Sequence, residues 1–520
     1  KIKLLIISNM INQEDIHKLI DIYLKRKNIL VNHHIESYNE YINHILPKIL
    51  SHYFPVKNII NDNSNIKAII LDIENIRIEK PYYTEKNGCR KLMTPNIARL
   101  NNHTYSVTLF IDIKVTIEIM EKDITCKEYK IINDIILGKI PNLVYSDHCI
   151  LKNQISNECK YELGGYFIIN GNEKVLISQE KIIPNHIQIY NQKSTSKYLY
   201  VAEIRSGNLD NYSPIKTCSI KLKQINDEIK LYISIPHIKK EFPIFILFKA
   251  LGCLSDKECY SYIVNNDNSE FDNKIYQLLK PSLEESKNYK TETEAILYIS
   301  KLLHNYNTIY NEDMKYNYCQ SILKKEYLPH IGERIIKKLY FTGLIIHKLL
   351  GTYLGIFKET DRDNYENKRI ETCGILMANL TQQCIHRIIK DIKTYTMKEY
   401  NSGSWRLNKD PKDIIHENNI NKIVKSSFLE SVLKSALATG NWGMKNYINK
   451  QGVSQVLNRL TYMSSLSHLR RVSTPIDNTG KVIAPRKLHN TQWGYICPSE
   501  TPEGQSIGVV KNLSMSCEIT

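Results

Sequence analysis

The spacing of apolar residues changes twice along the chain, and that change excludes any fold built from one kind of element. Between residues 14 and 50, Ile16, Leu19, Ile20, Tyr23 and Leu24, then Ile35, Tyr38, Tyr41, Ile42 and Ile45, recur at helical spacing. This predicts two helices around a break at 27–31. From about residue 66 the period shortens, and YSVTLFIDIKVTIEI (105–119) is β-branched and partly alternating, which predicts a long strand. After DRDNYENKR (361–369) the helical spacing returns, interrupted at 401–413. A length of 520 residues is too great for one ordinary hydrophobic core. The expected fold class is therefore α+β and multi-domain.

Local punctuation sharpens this. In GGYFIINGNEKVLIS (164–178) two apolar runs meet at Asn170–Gly171, a dipeptide that tolerates the positive φ angles of a tight hairpin. The tip would present Asn170 and Lys174. Residues 181–360 read as a separate unit, with strands at 198–204, 219–225 and 228–235 followed by helices. SSFLESVLKSALATG (426–440) predicts a helix with Leu429, Val432, Leu433, Ala436 and Leu437 on one side and a glycine cap. A further helix is expected at 452–471, burying Val453, Val456, Leu457, Leu460, Met463 and Leu466, with Gln455 and Arg459 on adjoining faces.

Several function classes lack support. FPIFILFKALGCL (242–254) and YFTGLIIHKLLGTYLGIF (340–357) are too short or too charged to span a bilayer and read as core. The N-terminus carries no small-residue cleavage site, so secretion is not expected. Twelve scattered cysteines with no C-x-x-C suit a reducing interior better than a zinc ribbon or a disulfide framework. Gly480–Lys481 lacks the rest of a P-loop, and no H-E-x-x-H, G-x-S-x-G or G-x-G-x-x-G follows. Asp361 and Asp363, split by an arginine, read as a helix start or salt-bridge cluster rather than as metal ligands.

Charge points to an anionic partner. The net charge is +16, and from Ser431 to Ile476 no acidic residue interrupts Lys434, Lys445, Lys450, Arg459, Arg470 and Arg471. For any one of them a solvated face is the ordinary explanation. An unbroken acid-free segment beside a Gly/Pro-rich loop fits a phosphate-facing surface better. That loop, LHNTQWGYICPSETPEGQSIG (488–508), is unlike the Ile, Asn, Lys and Tyr monotone around it. Trp493 within it is expected to anchor the loop in the core.

The run GVSQVLNRLTYMSSLSHLRRVSTPIDNTGKVIAPRKLHNTQWGYICPSETPEGQSIGVVKNLS (452–514) resembles the fork region of the second-largest subunit of multisubunit DNA-dependent RNA polymerases. ARLNNHTYS (98–106), GGYFIINGNEKVLISQE (164–180), VAEIRS (201–206), FPIFILFKALG (242–252), LPHIGE (328–333), DRDNYENKR (361–369) and ALATGNWG (436–443) resemble the family in the same order. The resemblance implies a protrusion at 1–180 resumed at 364–438, a lobe at 181–363 inserted in it, and a fork at 439–520 with loops at about 441–451 and 474–483. It implies that Asn170, Lys174 and Lys434 contact the template strand of an RNA–DNA hybrid and that Gln455 and Arg471 lie against RNA. Arg486 and Glu503 would stand near the nucleotide-addition site and downstream DNA, Glu503 orienting basic neighbours.

No catalytic residue or metal ligand is expected within these residues. The resemblance places Mg²⁺ on ligands outside them and Zn²⁺ in the family's later part, so this portion alone is not expected to polymerise RNA. Its implied partners are the largest subunit and smaller polymerase subunits, the DNA template, the RNA–DNA hybrid and transcription factors, with no membrane. The implied location is intracellular, in a nucleus or a viral factory or virion. The rival expectation is a non-enzymatic nucleic-acid-binding scaffold that keeps the fork and lobe.

Overall fold

The computed structural model describes residues 13–26, 28–60, 66–121, 124–152, 158–159, 161–192, 196–208, 214–226, 228–264, 270–304, 311–403, 414–444, 450–476 and 482–519. The chain divides into a unit made of residues 1–181 and 369–520 and a unit made of residues 182–368. Helices and sheets are mixed in both, so the fold is α+β, as the change of apolar period predicts.

The first unit begins with α1 (Gln13–Leu24), α2 (Asn32–Glu40) and α3 (Leu46–Tyr53). A 3₁₀ turn at Ile29–Val31 falls on the expected break, and a π-helical turn at Tyr41–Ile45 joins α2 to α3. Tyr38, Tyr41, Ile42 and Ile45 are buried, whereas Ile16, Leu19 and Ile20 of α1 are exposed. Next come β1 (Val56–Ile59), β2 (Ile66–Glu79), α4 (Pro95–Leu100), β3 (Ser106–Glu121) and β4 (Ile124–Pro141). The four strands form an antiparallel sheet in sequence order. β3 is the predicted long strand, and its alternation has a physical result: Val107, Leu109, Ile111, Ile113, Val115 and Ile117 are all buried on one face.

The chain then forms β5 (Phe167–Ile169), β6 (Asn172–Leu176) and β7 (Ser178–Ile182). It returns to this unit through β8 (Lys368–Glu371), α5 (Cys373–Ser402), α6 (Glu417–Ile423) and α7 (Ser426–Thr439). The last elements are β9 (Ser454–Val456), α8 (Tyr462–Leu469), β10 (Arg471–Ser473) and β11 (Val510–Asn512). Two small sheets result, β9–β6–β5 and β8–β7–β10–β11, the second containing a parallel β7–β10 pair. α7 ends where the sequence predicts, with Gly440 at φ 79°. A Cβ on Gly440 would also come within 2.5 Å of the Ser454 carbonyl, so the glycine serves the cap and the close approach together.

The expected helix at 452–471 is not there. Its first part is β9, bonded to the hairpin, and α8 starts only at Tyr462, after a capping box between Thr461 and Ser464. Apolar spacing of three and four misleads because Val456, Leu460 and Met463 are exposed rather than core-facing. Strand pairing with β6 overrides the local helical pattern.

The second unit is an antiparallel sheet of Ile187–Asn191, Tyr198–Ser206, Lys216–Ile225, Glu228–Ser234 and Phe242–Pro243, neighbours in sequence pairing in turn. Helices from Ile244–Ala250 to Ile335–Tyr353 follow it. Phe242, Phe245, Phe248, Leu349 and Leu350 are fully buried in its core.

Candidate nucleic-acid interface

The β5–β6 hairpin turns through Asn170 at φ 49° and Gly171 at φ 78°, the left-handed pair its dipeptide favours. A hydrogen bond from Thr104 Oγ1 to Asn170 Oδ1 (3.2 Å) ties the tip to the segment after α4. β9 pairs antiparallel with β6, setting Gln455 opposite Val175 and Val456 opposite Lys174. Lys174 Nζ reaches the C-terminal end of α7 and donates to the Ala438 carbonyl at 3.0 Å, where a cation meets the negative end of the helix. Lys434 lies four residues before Ala438 on the same helix. The Lys174 bond joins the hairpin to the helix that bears Lys434, whereas Gln455, opposite Val175, lies on the other face of the sheet from Lys174 and bonds towards α8.

Gln455 is held by a defined set of bonds. His468 Nδ1 accepts from the Asn458 amide (3.1 Å), which leaves the proton on Nε2 to donate to Gln455 Oε1 (3.0 Å). Gln455 Nε2 in turn donates to the Gly452 carbonyl (3.1 Å). Burial, and then the charge of Arg471, push His468 down to about 4, so the ring is neutral at physiological pH and this pattern persists. Arg471 opens β10, beside β7 and β11, and is half-buried.

Arg486 and Glu503 lie in the irregular stretch. Arg486 Nη1 donates to the carbonyls of Gln505 (2.6 Å) and Ile507 (2.9 Å), joining its 3₁₀ turn to the loop after Glu503. At Gly508, φ 68°, an added Cβ would lie 2.2 Å from the Arg486 carbonyl oxygen, so this glycine is required for backbone-to-backbone contact. Glu503 is exposed and makes no ion pair with a described residue. Trp493 is not a core anchor: it is 82% exposed. The tryptophan that does pin a loop is Trp442, buried, with Nε1 donating to the Leu376 carbonyl at 3.1 Å.

The acid-free segment is not acid-free in space. Lys450 pairs with Glu371 (2.9 Å), a carboxylate that also takes Lys181 (3.0 Å). Arg470 is buried and donates to the carbonyls of Leu30 and Ser514, each at 2.6 Å. Arg459 meets Glu173 (2.7 Å) and Glu162 (3.3 Å). Lys434 and Arg471 make no ion pair with a described residue. Lys445 lies outside the described residues, as do 445–449 and 477–481 within the two expected fork loops.

One constellation had no signal in the sequence. Glu173 bridges Arg459 and Arg99, whose Nε lies 2.9 Å away. Arg99 also donates to Glu158 (3.1 Å) and to the Tyr166 hydroxyl (2.6 Å). Burial alone would raise the Glu173 carboxyl, but the bond and charge of Arg459 hold it below the usual carboxylate range. The network clamps β6 to α4 on one side and to the irregular segment after β9 on the other, adjacent to Lys174. Its members are 74 and 286 residues apart, so no local spacing could reveal it. Among the described residues no group of three or more His, Cys, Asp or Glu side chains could hold a metal ion.

Residues 29–422 match the family described as RNA polymerase beta subunit, and residues 455–519 match RNA polymerase Rpb2, domain 3. DNA-directed RNA polymerase II subunit 2 of Arabidopsis thaliana is 36% identical, over 98% of this chain and 44% of that one. DNA-directed RNA polymerase subunit 2 of Acanthamoeba polyphaga mimivirus is 32% identical, over 99% of this chain and 44% of that one. DNA-directed RNA polymerase subunit Rpo2N of Methanocaldococcus jannaschii is 31% identical, over 97% of this chain and 95% of that one. The chain spans less than half the length of the plant and viral relatives and nearly all of the archaeal one.

Proposed function

The chain belongs to the second-largest, beta-type subunits of multisubunit DNA-directed RNA polymerases, matching their N-terminal part, and from that membership we propose that it positions an RNA–DNA hybrid and downstream DNA during transcription. The observation that carries this reading is the joint between the β5–β6 hairpin and α7, in which Lys174 meets the last turn of the helix that bears Lys434. Lys434 and Arg471 keep charges that no described acidic side chain neutralises, while neighbouring basic residues of the acid-free segment are spent on internal pairs. A hybrid has to slide, so its contacts are indifferent to sequence and go to phosphate and sugar through Lys, Arg, Asn and Gln. The largest subunit, the smaller subunits, the template and transcription factors are the proposed partners. Phosphoryl transfer in the assembled enzyme needs metal ions and in-line geometry, and the share proposed for these residues is the geometry.

The test is the lifetime of a transcribing complex in an assembled enzyme. Lys434→Ala with Arg471→Ala is expected to shorten hybrid retention, with a smaller dependence on salt because fewer phosphates are contacted. An unchanged lifetime and salt slope across a potassium chloride series would defeat the assignment.

A further inference from the structure

Helix α3 and the outer half of β2 enclose a groove of about 590 Å³. Ile42, Pro47, Leu50 and Phe54 form its apolar wall, and residues 72–76 with Ile78 of the strand form the other. β1 pairs with β2 only as far as Leu71. Beyond that residue the strand has β3 on one side and, among the described residues, no strand on the other.

The backbone registers the missing neighbour. The Ile73 amide donates to Asp72 Oδ1 and the Ile76 amide to Asn75 Oδ1, each at 2.9 Å, so a side chain one residue back stands in for a strand carbonyl. Ile73, Ile76 and Ile78 are half-buried, while Asp72 and Glu74 are exposed. An unpaired edge beside an apolar trough is the geometry by which an extended peptide adds a strand, main chain giving affinity and alternate side chains giving selectivity.

Charge selects the occupant. The chain carries +16 overall, yet the groove is lined by Asp72 and Glu74 and by no lysine or arginine. His148, at its margin, is pushed down by burial and adds no positive charge at neutral pH. A second copy pairing edge to edge would set Asp72 and Glu74 against their equivalents, a like-charge contact that disfavours it. We propose that this groove docks an extended segment of another protein, which adds a strand to β2 and alternates apolar with basic side chains.

The probe is a fluorescein-labelled octapeptide alternating valine and lysine, titrated into the full chain and followed by anisotropy. Saturable binding is expected, with amide-exchange protection confined to residues 72–79 and the groove wall. Asp72→Lys with Glu74→Lys, both exposed positions, is expected to weaken binding at least about tenfold and to favour the valine–glutamate counterpart. Methylating alternate peptide amides is expected to abolish binding. No saturable binding, equal binding by the methylated peptide, or unchanged affinity in the double variant overturns the proposal. So does a dimer of the unliganded protein with residues 72–79 protected, which gives the edge to a second copy.

Discussion

His468 Nε2 lies 3.0 Å from Gln455 Oε1 while Nδ1 of the same ring takes the Asn458 amide, so a single tautomer decides which way the glutamine points. Protonating the ring would put a proton on both nitrogens and break the Asn458 contact. His468→Gln is therefore expected to weaken RNA retention in the assembled enzyme, through the displaced Gln455, while the catalytic metal dependence stays unchanged. Complex lifetime and a metal titration on the same preparation check it.

The acid response has a definite sign. His34 is pushed down to about 4 by burial, and His468 to about 4 by burial and Arg471, from an ordinary 6.5. Between pH 6.5 and 4 the unfolded chain takes up protons that these folded rings refuse, so stability falls as pH drops through that window and levels off below it. Each ring is nearly fully buried, and 2.5 pH units correspond to about 3 kcal/mol per ring. Urea midpoints at pH 7, 5.5 and 4.5 are expected to fall in that order, and less steeply in His468→Gln.

Glu173 and Arg459 are expected to be coupled. Removing either leaves a charge facing an incomplete network, and charge-assisted bonds of this kind contribute about 1.5–3 kcal/mol. In a double-mutant cycle of Glu173→Gln and Arg459→Gln by urea unfolding, the pair should cost less than the sum of the singles. Strict additivity would show that the clamp does not act as a unit.

What the sequence made legible was whatever local chemistry decides. Asn170–Gly171 specifies a turn, Gly440 specifies a cap, and the β-branched run at 105–119 specifies a strand, because each outcome depends on neighbours in the chain. The misreadings share the opposite cause. Val456 and Leu460 keep helical spacing but are exposed, because β6, nearly 300 residues earlier, claims the segment as a strand. The acid-free run hid the same dependence: Glu173 and Glu371, far away in sequence, neutralise Arg459 and Lys450. Lys434 and Arg471 stayed identifiable as candidates because, among the described residues, no acidic side chain pairs with them.

Trp442 and Trp493 are expected to behave oppositely. Trp442→Ala removes a buried ring and its bond to Leu376, which costs about 3–5 kcal/mol. Trp493→Ala alters an exposed side chain and should change stability by no more than about 0.5 kcal/mol. Iodide should quench Trp493 emission and spare Trp442. Comparable destabilisation by the two substitutions would contradict the burial described here.

Lys338 gives the second unit a distinct alkaline signature. Its side chain is fully buried, and Nζ donates to the carbonyls of Leu323, Lys324 and Tyr327 at 3.0, 2.6 and 2.5 Å, satisfying the end of the π-helical turn at Ile322–Glu326. Burial pushes the amine down to about 8 from 10.5. Above pH 8 the folded amine loses its proton before the unfolded one does, so stability rises between pH 8 and 10.5. Lys338→Met keeps the apolar stem but strands the carbonyls, at a cost of about 2 kcal/mol at pH 7, and it removes the titrating group. The stability gap between the parent chain and Lys338→Met should therefore widen from pH 7 to pH 9.5. A narrowing gap would mean that the three carbonyls favour the ammonium more than burial opposes it, reversing the sign argued from the buried position.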